Sequence, residues 1–213
     1  MVHIVNAGNA SLYAQELRQA QRLRHRVFVE ERHWEALRKP DGLEVDQFDT
    51  SSAIHILAVD RNAVVGYSRL LPTVEPHLLS EVYPHLAQRQ IPRAADVFEW
   101  TRYCVAPEKR GETAIGNIGS RLLYGVLEYA FNSGMSHLTM QTDPIWTTRF
   151  FDFGFDVEPL GLPVMLDGEP VVALAIGLSA KAIGRCRRLL RVRPSVSESK
   201  GNPLPALPIP AAA

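Results

Sequence analysis

A strand that carries two charges is the feature of this sequence that most constrains its fold. The run Val97–Val105 is rich in aromatic and β-branched residues, which predicts a buried strand, yet it contains Glu99 and Arg102. An ion pair buried in a strand adds little stability, so a functional use of the two charges is favoured over a salt bridge between them. Residues three apart face opposite sides of a regular pleat, so such a salt bridge would need a bulge.

A glycine-bearing loop and a helix follow this strand. Pro107 ends the strand, Arg110 stands in the loop with Gly111, Gly116 and Gly119, and apolar residues at helical spacing begin at Leu122. A helix N-terminus offers unpaired N–H groups and partial positive charge, so this loop is suited to an anionic phosphate, for example on a thioester carrier. An ordinary tight connection is the alternative.

Length and charge bound the function. The chain has 213 residues, with 23 Lys+Arg and 23 Asp+Glu, so we expect one domain over residues 1–190 and no nucleic-acid partner. The two cysteines lack CxxC spacing and the seven histidines lack metal-ligand spacing, which predicts a cytoplasmic protein without bound metal. No signal peptide or apolar run of about 20 residues is visible, so no membrane partner is expected.

Periodicity places the other elements. Strands are predicted at Val2–Val5, Ile54–Val59, Val64–Leu70, His137–Gln141, Val164–Leu166 and Val171–Ile176; helices are predicted after a Ser11 cap and through Arg24 and Phe28, within Leu78–Leu86, over Thr147–Phe153 up to Gly154, and over Ser179–Leu190. The result is an α+β domain with one mixed sheet between helices. Residues 194–213 are rich in proline and alanine, so we expect disorder there and no loss of activity or melting temperature on truncation after Val192.

The order of motifs resembles two known groups of proteins. A strand, a Pro-x-x-Arg-Gly loop, a long helix, a strand and then WTTRFFDFGF look like the acyl-CoA-binding core of the GNAT N-acyltransferase superfamily, over about residues 54–176. This implies an α/β/α sandwich whose central sheet is mixed, largely antiparallel and flanked by helices. A sharper pattern combines Arg24, Phe28, Trp34, Asp46 and Asp49 in DQFD, Arg69 in RLLPT, and Glu99 and Arg102 in FEWTRY. It resembles the acyl-homoserine lactone synthases of quorum sensing, over roughly residues 1–183.

The resemblance implies a reaction on S-adenosylmethionine. Its α-amine attacks an acyl thioester, and its carboxylate then attacks its own γ-carbon, which expels methylthioadenosine and closes the lactone. An α-amino group with a pKa of about 8 is mostly protonated at neutral pH, so a base helps the first step. Glu99 is the candidate base, acting through a water, and Arg102 is its catalytic companion in the same motif.

The remaining motif residues are assigned to the two substrates. Phe28 and Trp34 are expected around the sulfonium or the adenosyl group, although core packing is the alternative for both. Asp46 and Asp49 are candidates to hold the ammonium, and Arg24, Arg69 or Arg102 to hold the carboxylate or to order the aspartate loop. Trp100, Trp146 and Thr142 are candidate walls of the acyl pocket, because their bulk would limit chain length, and core packing is the alternative for each. The resemblance adds Tyr103, Val105 and Arg110 to the acyl and pantetheine site. It also makes S-adenosylmethionine and the acyl thioester substrates, so no cofactor is expected. Cys104 has no adjacent histidine to activate it as a nucleophile.

Two other functions remain open from the sequence. A GNAT-type N-acyltransferase using acyl-CoA and another small amine would keep the glycine loop but leave the N-terminal motif residues unexplained. A binding module for acyl-CoA would need no base in a buried strand. We expect acyl-CoA rather than acyl-carrier protein as donor, with a short, branched or aromatic acyl group. The basic run Arg185–Arg193 is the counter-evidence, because it could serve an acidic carrier protein.

Overall fold

The computed structural model describes residues 1–111, 117–193 and 197–201, with side chains at 197 and 198 excepted. Gly116, and with it part of the predicted phosphate-binding loop, lies outside the described residues. The chain divides into two compact units, Met1–Arg69 with Arg102–Val126 and Leu190–Leu204, and Leu70–Thr101 with Leu127–Leu189 and Pro205–Ala213. The prediction of a single domain over residues 1–190 stays a prediction.

The helices and strands alternate along the chain. In order they are β1 (Val2–Val5), α1 (Ala14–Arg24), β2 (Ile54–Asp60), β3 (Ala63–Pro72), α2 (Leu78–Glu81), β4 (Val97–Val105), α3 (Ile118–Asn132), β5 (His137–Thr142), α4 (Ile145–Phe153), β6 (Asp156–Pro159), β7 (Val164–Leu166), β8 (Glu169–Gly177), α5 (Ala180–Leu190) and β9 (Ser197–Glu198). The sequence analysis did not predict β6 and β9. All the strands that it did predict are present, with ends within two residues of the predicted ones. The fold is the expected one, a mixed and largely antiparallel sheet with helices against it.

In the first unit the sheet runs in the order β4, β3, β2, β1, β9. β1 is antiparallel to β2, and β9 is parallel to β1. The turn between β2 and β3 has two residues of positive φ, Arg61 at 48° and Asn62 at 66°. This is the backbone of a type I′ hairpin turn, whose twist matches that of the strands it joins.

Helix α1 begins later than the sequence predicted. Ser11 lies inside a 3-10 turn, Ala10–Tyr13, and is not the cap of α1. At its other end α1 continues directly into a π-helical segment, His25–Glu31, which contains Phe28. Wider helical turns of this kind are rare in proteins, and those that occur are often found at functional sites.

In the second unit β5 is the centre of the sheet. It pairs in parallel with β4 and antiparallel with β8, and β8 also carries β6 and β7 as antiparallel neighbours. The core of this unit includes a cluster of five buried residues, Leu79, Leu86, Leu160, Ala173 and Ala175. Gly161 passes so close to this cluster that an added Cβ would lie 2.2 Å from the Leu86 carbonyl oxygen.

Residues 197–201 are docked on the first unit, which differs from the expectation of a disordered tail. β9 pairs with β1, Ser199 Oγ donates to the Ile4 carbonyl at 3.2 Å, and Asn9 Nδ2 donates to the Lys200 carbonyl at 3.1 Å. The Lys200 amide donates to the Tyr13 hydroxyl, and its ammonium pairs with Glu16. Residues 194–196 and 202–213 lie outside the described residues.

Membrane-spanning helices were sought within residues 1–111, 117–193 and 197–201. None of the helices there is both long enough and apolar enough to cross a bilayer.

The docked segment revises the expectation for truncation. We predict that a chain ending at Val192 melts at a lower temperature than one ending at Gly201, because it loses the β9 pairing and the hydrogen bonds of Ser199 and Lys200. The three hydrogen bonds of Ser199 and Lys200 contribute about 0.5 to 1.5 kcal/mol each, so the loss should be roughly 1.5 to 4.5 kcal/mol. Scanning calorimetry of the two truncated chains measures it. Equal melting temperatures would show that this docking adds no stability.

Candidate active site

Three arginines and three carboxylates form a buried ionic network in the first unit. Arg24 lies at the end of α1, Arg69 on β3 and Arg102 on β4, whereas the acids come from the loop before β2. Their side chains are at most 11% exposed. The acids of the network are Glu44, Asp46 and Asp49.

Each arginine bridges two of the acids. Arg24 donates to Glu44 and, through both terminal nitrogens, to Asp49 at 2.8 and 2.9 Å. Arg69 donates to Asp46 at 2.7 and 2.9 Å and to Asp49 at 2.8 Å. Equal numbers of opposite charges and bidentate geometry make burial of six charges tolerable.

Arg102 joins the same network from a backbone kink. Its Nη2 donates to Asp46 at 2.7 Å and lies 3.3 Å from Glu44, and its φ is +55°. Positive φ is uncommon for a residue with a side chain and costs energy, so the surrounding contacts must hold it. The salt bridge to Glu99 that the sequence left open is replaced by these contacts to Glu44 and Asp46.

The acidic loop is shaped by its own carboxylates. Asp46 Oδ1 accepts the Phe48 amide at 2.9 Å, and Asp49 Oδ2 accepts the Asp46 amide at 2.9 Å. Such local side-chain to backbone bonds are typical of aspartate turns. Both carboxylates of the DQFD motif are thus already saturated by backbone amides and arginines.

The charges of the network reinforce each other. Burial raises the pKa of Asp49, but the hydrogen bonds and charge of Arg24 and the charge of Arg69 outweigh it, so the pKa lies well below the usual range. The pKa of Asp46 is lowered in the same way by Arg69 and Arg102 against the effect of burial. Asp46 and Asp49 are therefore ionised at every physiological pH.

Phe28 and Trp34 form an aromatic pair beside Arg102. Their rings stack with centroids 5.0 Å apart and planes at 19°. The Arg102 guanidinium carbon lies 5.6 Å from the Phe28 ring centre and 5.8 Å from that of Trp34. The Trp34 amide donates to the Phe28 carbonyl at 2.9 Å, which fixes the pair at the end of the π-helical segment. The structure thus brings together the six residues assigned to S-adenosylmethionine, with Arg102 added.

Glu99 is held differently, in the second unit. It is completely buried, and its Oε2 accepts the Leu78 amide at 2.8 Å. Its Oε1 accepts the Leu79 amide at 2.7 Å and the Gln141 side-chain amide at 2.8 Å. The donors are neutral N–H groups, two of them in the first turn of α2. A carboxylate has about four acceptor positions, so one position on Oε2 remains.

Two of the residues assigned to the acyl group share an aromatic cluster in the second unit. The Trp100 and Trp146 rings lie 6.0 and 5.5 Å from that of Phe150. Trp100 is 7% exposed, so core packing accounts for it as readily as a pocket wall does. Thr142 ends β5, opposite Val172.

The other three acyl and pantetheine candidates lie in the first unit. Tyr103 donates to the Gly119 carbonyl at 2.8 Å, and Val105 is buried. Arg110 donates to the Val105 carbonyl at 2.8 Å and pairs with Glu31. Cys104 is buried, which raises the pKa of its thiol to about 12 and makes it a poor nucleophile.

A second polar chain extends the network to a histidine. Arg24 Nη1 donates to the Tyr67 hydroxyl at 3.3 Å, so that hydroxyl's own proton is free to bond His55 Nδ1 at 2.7 Å. His55 is therefore neutral in this arrangement, with its proton on Nε2. Burial is the main reason that the pKa of His55 is lowered to about 4, with Arg24 and Arg69 acting in the same direction.

Sequence reasoning missed several members of these clusters. Glu44 is fully buried and is the third acid that the three arginines require, but it lies outside the DQFD motif. Gln141 and the two α2 amides that bind Glu99 carry no sequence signal, because their role depends on backbone position. Among the described residues, no group of three or more His, Cys, Asp and Glu side chains is arranged to hold a metal ion.

The fold and the clustered motif residues define the class of protein. A putative N-acetyltransferase of Lactobacillus plantarum has a similar fold, with a TM-score of 0.53 and 23% identity over 84% of this chain and 99% of that one. The fold is thus that of a GNAT-like acyltransferase.

The family follows from closer similarities. A family model described as autoinducer synthase matches residues 9–183, and the chain belongs to this family. An isovaleryl-homoserine lactone synthase of Bradyrhizobium diazoefficiens is 39% identical over 184 residues, which cover 86% of this chain and 82% of that protein. The solved structure of a CoA-dependent acyl-homoserine lactone synthase, BjaI, with SAM and isopentyl-CoA has a TM-score of 0.89 and 36% identity over 97% of this chain and 96% of that one. The chain is an acyltransferase of the acyl-homoserine-lactone synthase class.

The ionic network leads to a prediction about stability. Replacing Asp49 by Asn should lower the free energy of unfolding by about 3 to 5 kcal/mol, because it leaves buried arginine charge without its partner. Urea denaturation measures the change. The matched control is Glu35→Gln, which breaks the exposed pair with Arg38 and should leave stability unchanged. Equal effects of both substitutions would contradict the structural role of the network.

His55 makes a second prediction, on pH. Its folded pKa of about 4 lies below the ordinary value of 6.5, so unfolding takes up a proton between these pH values. Stability contributed by neutral His55 is fully present above pH 6.5 and falls as the pH drops towards 4, by about 1.4 kcal/mol per pH unit. His55→Gln should remove this slope in denaturation experiments, and His137→Gln, at an exposed histidine, should leave it in place. An unchanged slope in His55→Gln would refute the assignment.

Proposed function

We propose that this chain makes an N-acyl-homoserine lactone from S-adenosylmethionine and an acyl thioester, with acyl-CoA as the preferred donor. In the first step the α-amine attacks the thioester carbonyl, the C–N bond forms, the C–S bond breaks and the thiol leaves. In the second, the carboxylate attacks the γ-carbon, the sulfonium C–S bond breaks and methylthioadenosine is released. The observation that carries this proposal is the clustering of the S-adenosylmethionine motif residues around Arg102.

The first unit supplies the groups for S-adenosylmethionine. The Phe28–Trp34 pair offers aromatic faces to the sulfonium or to the adenine ring, and cation–π attraction is worth about 0.5 to 2 kcal/mol. Asp46 and Asp49 are saturated by arginines, so their role is to fix those arginines and the loop. Arg24 and Arg69 are buried in the network and hold the loop. Arg102, beside the aromatic pair, is the arginine placed to orient the substrate carboxylate.

Glu99 acts on the amine in the second unit. Because its three partners are neutral N–H groups, its negative charge is not cancelled by a cation among the described residues, and it attracts an ammonium. Its remaining acceptor position on Oε2 takes a proton-bearing group, either the ammonium or a water that relays the proton. One proton of the ammonium thus passes to solvent, and the departing thiolate takes another.

We infer that the donor carries a short acyl group on coenzyme A. BjaI, a relative with high structural similarity, is described as CoA-dependent and binds isopentyl-CoA, and the related Bradyrhizobium protein is named for the branched isovaleryl group. The bulk of the aromatic cluster of Trp100, Trp146 and Phe150 would limit the length of an acyl chain that binds against it. Lys109 and Arg110, the cations before the glycine loop, are paired with Asp60 and Glu31.

The reaction and the role of Glu99 are tested together. Purified chain with S-adenosylmethionine and isovaleryl-CoA should give an acyl-homoserine lactone and methylthioadenosine by mass spectrometry. Glu99→Gln should lower kcat by about 100-fold or more, with S-adenosylmethionine affinity changed only a few-fold in calorimetry. Glu158→Gln, at an exposed glutamate paired with Arg89, is the control and should keep full activity. Absence of lactone from the wild-type chain would overturn the function, and full activity of Glu99→Gln would overturn only the base.

The donor makes a further prediction. With matched acyl groups, kcat/KM should be higher for acyl-CoA than for acyl-carrier protein, and higher for short branched chains than for long straight ones. Steady-state kinetics with both donors measure the ratio. Preference for a long-chain acyl-carrier protein would contradict the donor assignment and leave the lactone chemistry intact.

A further inference from the structure

Helix α5 carries a stripe of cations on its outer side. Its apolar residues Ala182, Ile183 and Cys186 are buried, which anchors one side of the helix in the second unit. Lys181, Arg185 and Arg188 are exposed and recur at i, i+4 and i+7, so they share one side of the helix. We call these three residues the basic face.

The basic face has no acidic partner. The sequence contains no Asp or Glu from Pro170 to Ser197. Within residues 1–111, 117–193 and 197–201, no hydrogen bond or ion pair joins any of the three to another residue. Some surface arginines elsewhere are paired, for example Arg26 with Glu108 and Arg89 with Glu158.

Helix stability does not explain this arrangement. Cations in the last turn complement the helix dipole, which accounts for Arg188 and its neighbour Arg187. Lys181 lies instead in the first turn, where a cation is unfavourable. Like charges at i and i+4, such as Lys181 and Arg185, also oppose helix formation. The basic face is therefore suited to an external anion.

Exposed apolar side chains border the basic face. Leu189 is 54% exposed. It lies eight residues after Lys181, and therefore near the same side of the helix. Phe151 on α4 is 72% exposed and precedes Gly154 by three residues. A Cβ added to Gly154 would lie 3.2 Å from Arg185 Cδ, so the end of α4 adjoins the basic face. Asp152 is the acid next to Phe151, and the cations outnumber it.

We propose that the basic face docks on the surface of an anionic lipid bilayer, with Phe151 and Leu189 entering the headgroup region. Cations on an amphipathic helix attract anionic headgroups, and exposed aromatic and aliphatic side chains add apolar burial. Nucleic acid would use the cations and leave the apolar side chains in water. This peripheral contact differs from the sequence-based expectation of no membrane partner, and it does not depend on the reaction proposed above.

Co-sedimentation with vesicles tests the proposal. The full chain is mixed with vesicles of phosphatidylcholine alone or of two parts phosphatidylcholine and one part phosphatidylglycerol. It should bind only the anionic vesicles, and high salt should release most of it. The triple variant K181Q/R185Q/R188Q should bind about 100-fold more weakly, since each cation near an anionic surface contributes roughly 5-fold.

Matched variants separate the possible outcomes. R18Q/R22Q/R61Q removes the same charge at exposed arginines elsewhere and should bind as the wild type does. F151S/L189S should weaken the binding that survives high salt. Both triple variants should keep the wild-type melting temperature and activity without vesicles. The proposal is overturned if the wild type ignores anionic vesicles, if the two triple variants lose equal binding, or if the basic face binds duplex DNA or polyglutamate and not vesicles.

Discussion

The first unit depends on the mutual neutralisation of three buried arginines by three buried carboxylates. Such networks contribute little net stability, because desolvation cancels most of the attraction, but losing one member is costly. Their contribution is geometric. Bonds from Arg24, Arg69 and Arg102 tie the end of α1, β3, β4 and the acidic loop to one arrangement. The loop has no regular secondary structure, so the arginines order it together with the turns that its own carboxylates form.

The two groups of buried carboxylates are held by opposite means, and this divides their chemistry. The acids of the network form ion pairs with arginines, so their negative charge is neutralised and stabilises the structure. Glu99 meets two backbone amides and the Gln141 amide, which orient it without cancelling its charge. In the proposed reaction the acids of the network hold the arginines and the loop in place, and Glu99 attracts the cationic substrate. Arg102, on the same strand as Glu99, belongs to the frame, because its positive φ directs it to Glu44 and Asp46.

Local signals were sufficient for most of the fold. The β-branched run Val97–Val105 is a strand over the predicted bounds, and Gly154 ends α4 with φ of +85° because it lacks a Cβ. β6 was missed because Asp156–Pro159 is short and mostly exposed, so it shows no apolar alternation. The π-helical segment was missed because its hydrophobic spacing also fits an ordinary helix. The partners of Glu99 depend on tertiary register, which no local pattern encodes.

The pairing of β9 with β1 has a consequence for synthesis of the chain. β1 leaves the ribosome about 195 residues before its outer neighbour β9. Until then the backbone N–H and C=O groups along that edge have no strand beside them, and an uncovered edge can pair with another chain. Translation proceeds at roughly 5 to 20 residues per second, so this exposure lasts on the order of 10 to 40 seconds in each nascent molecule. Protection of β1 against aggregation therefore arrives only when β9 has been synthesised.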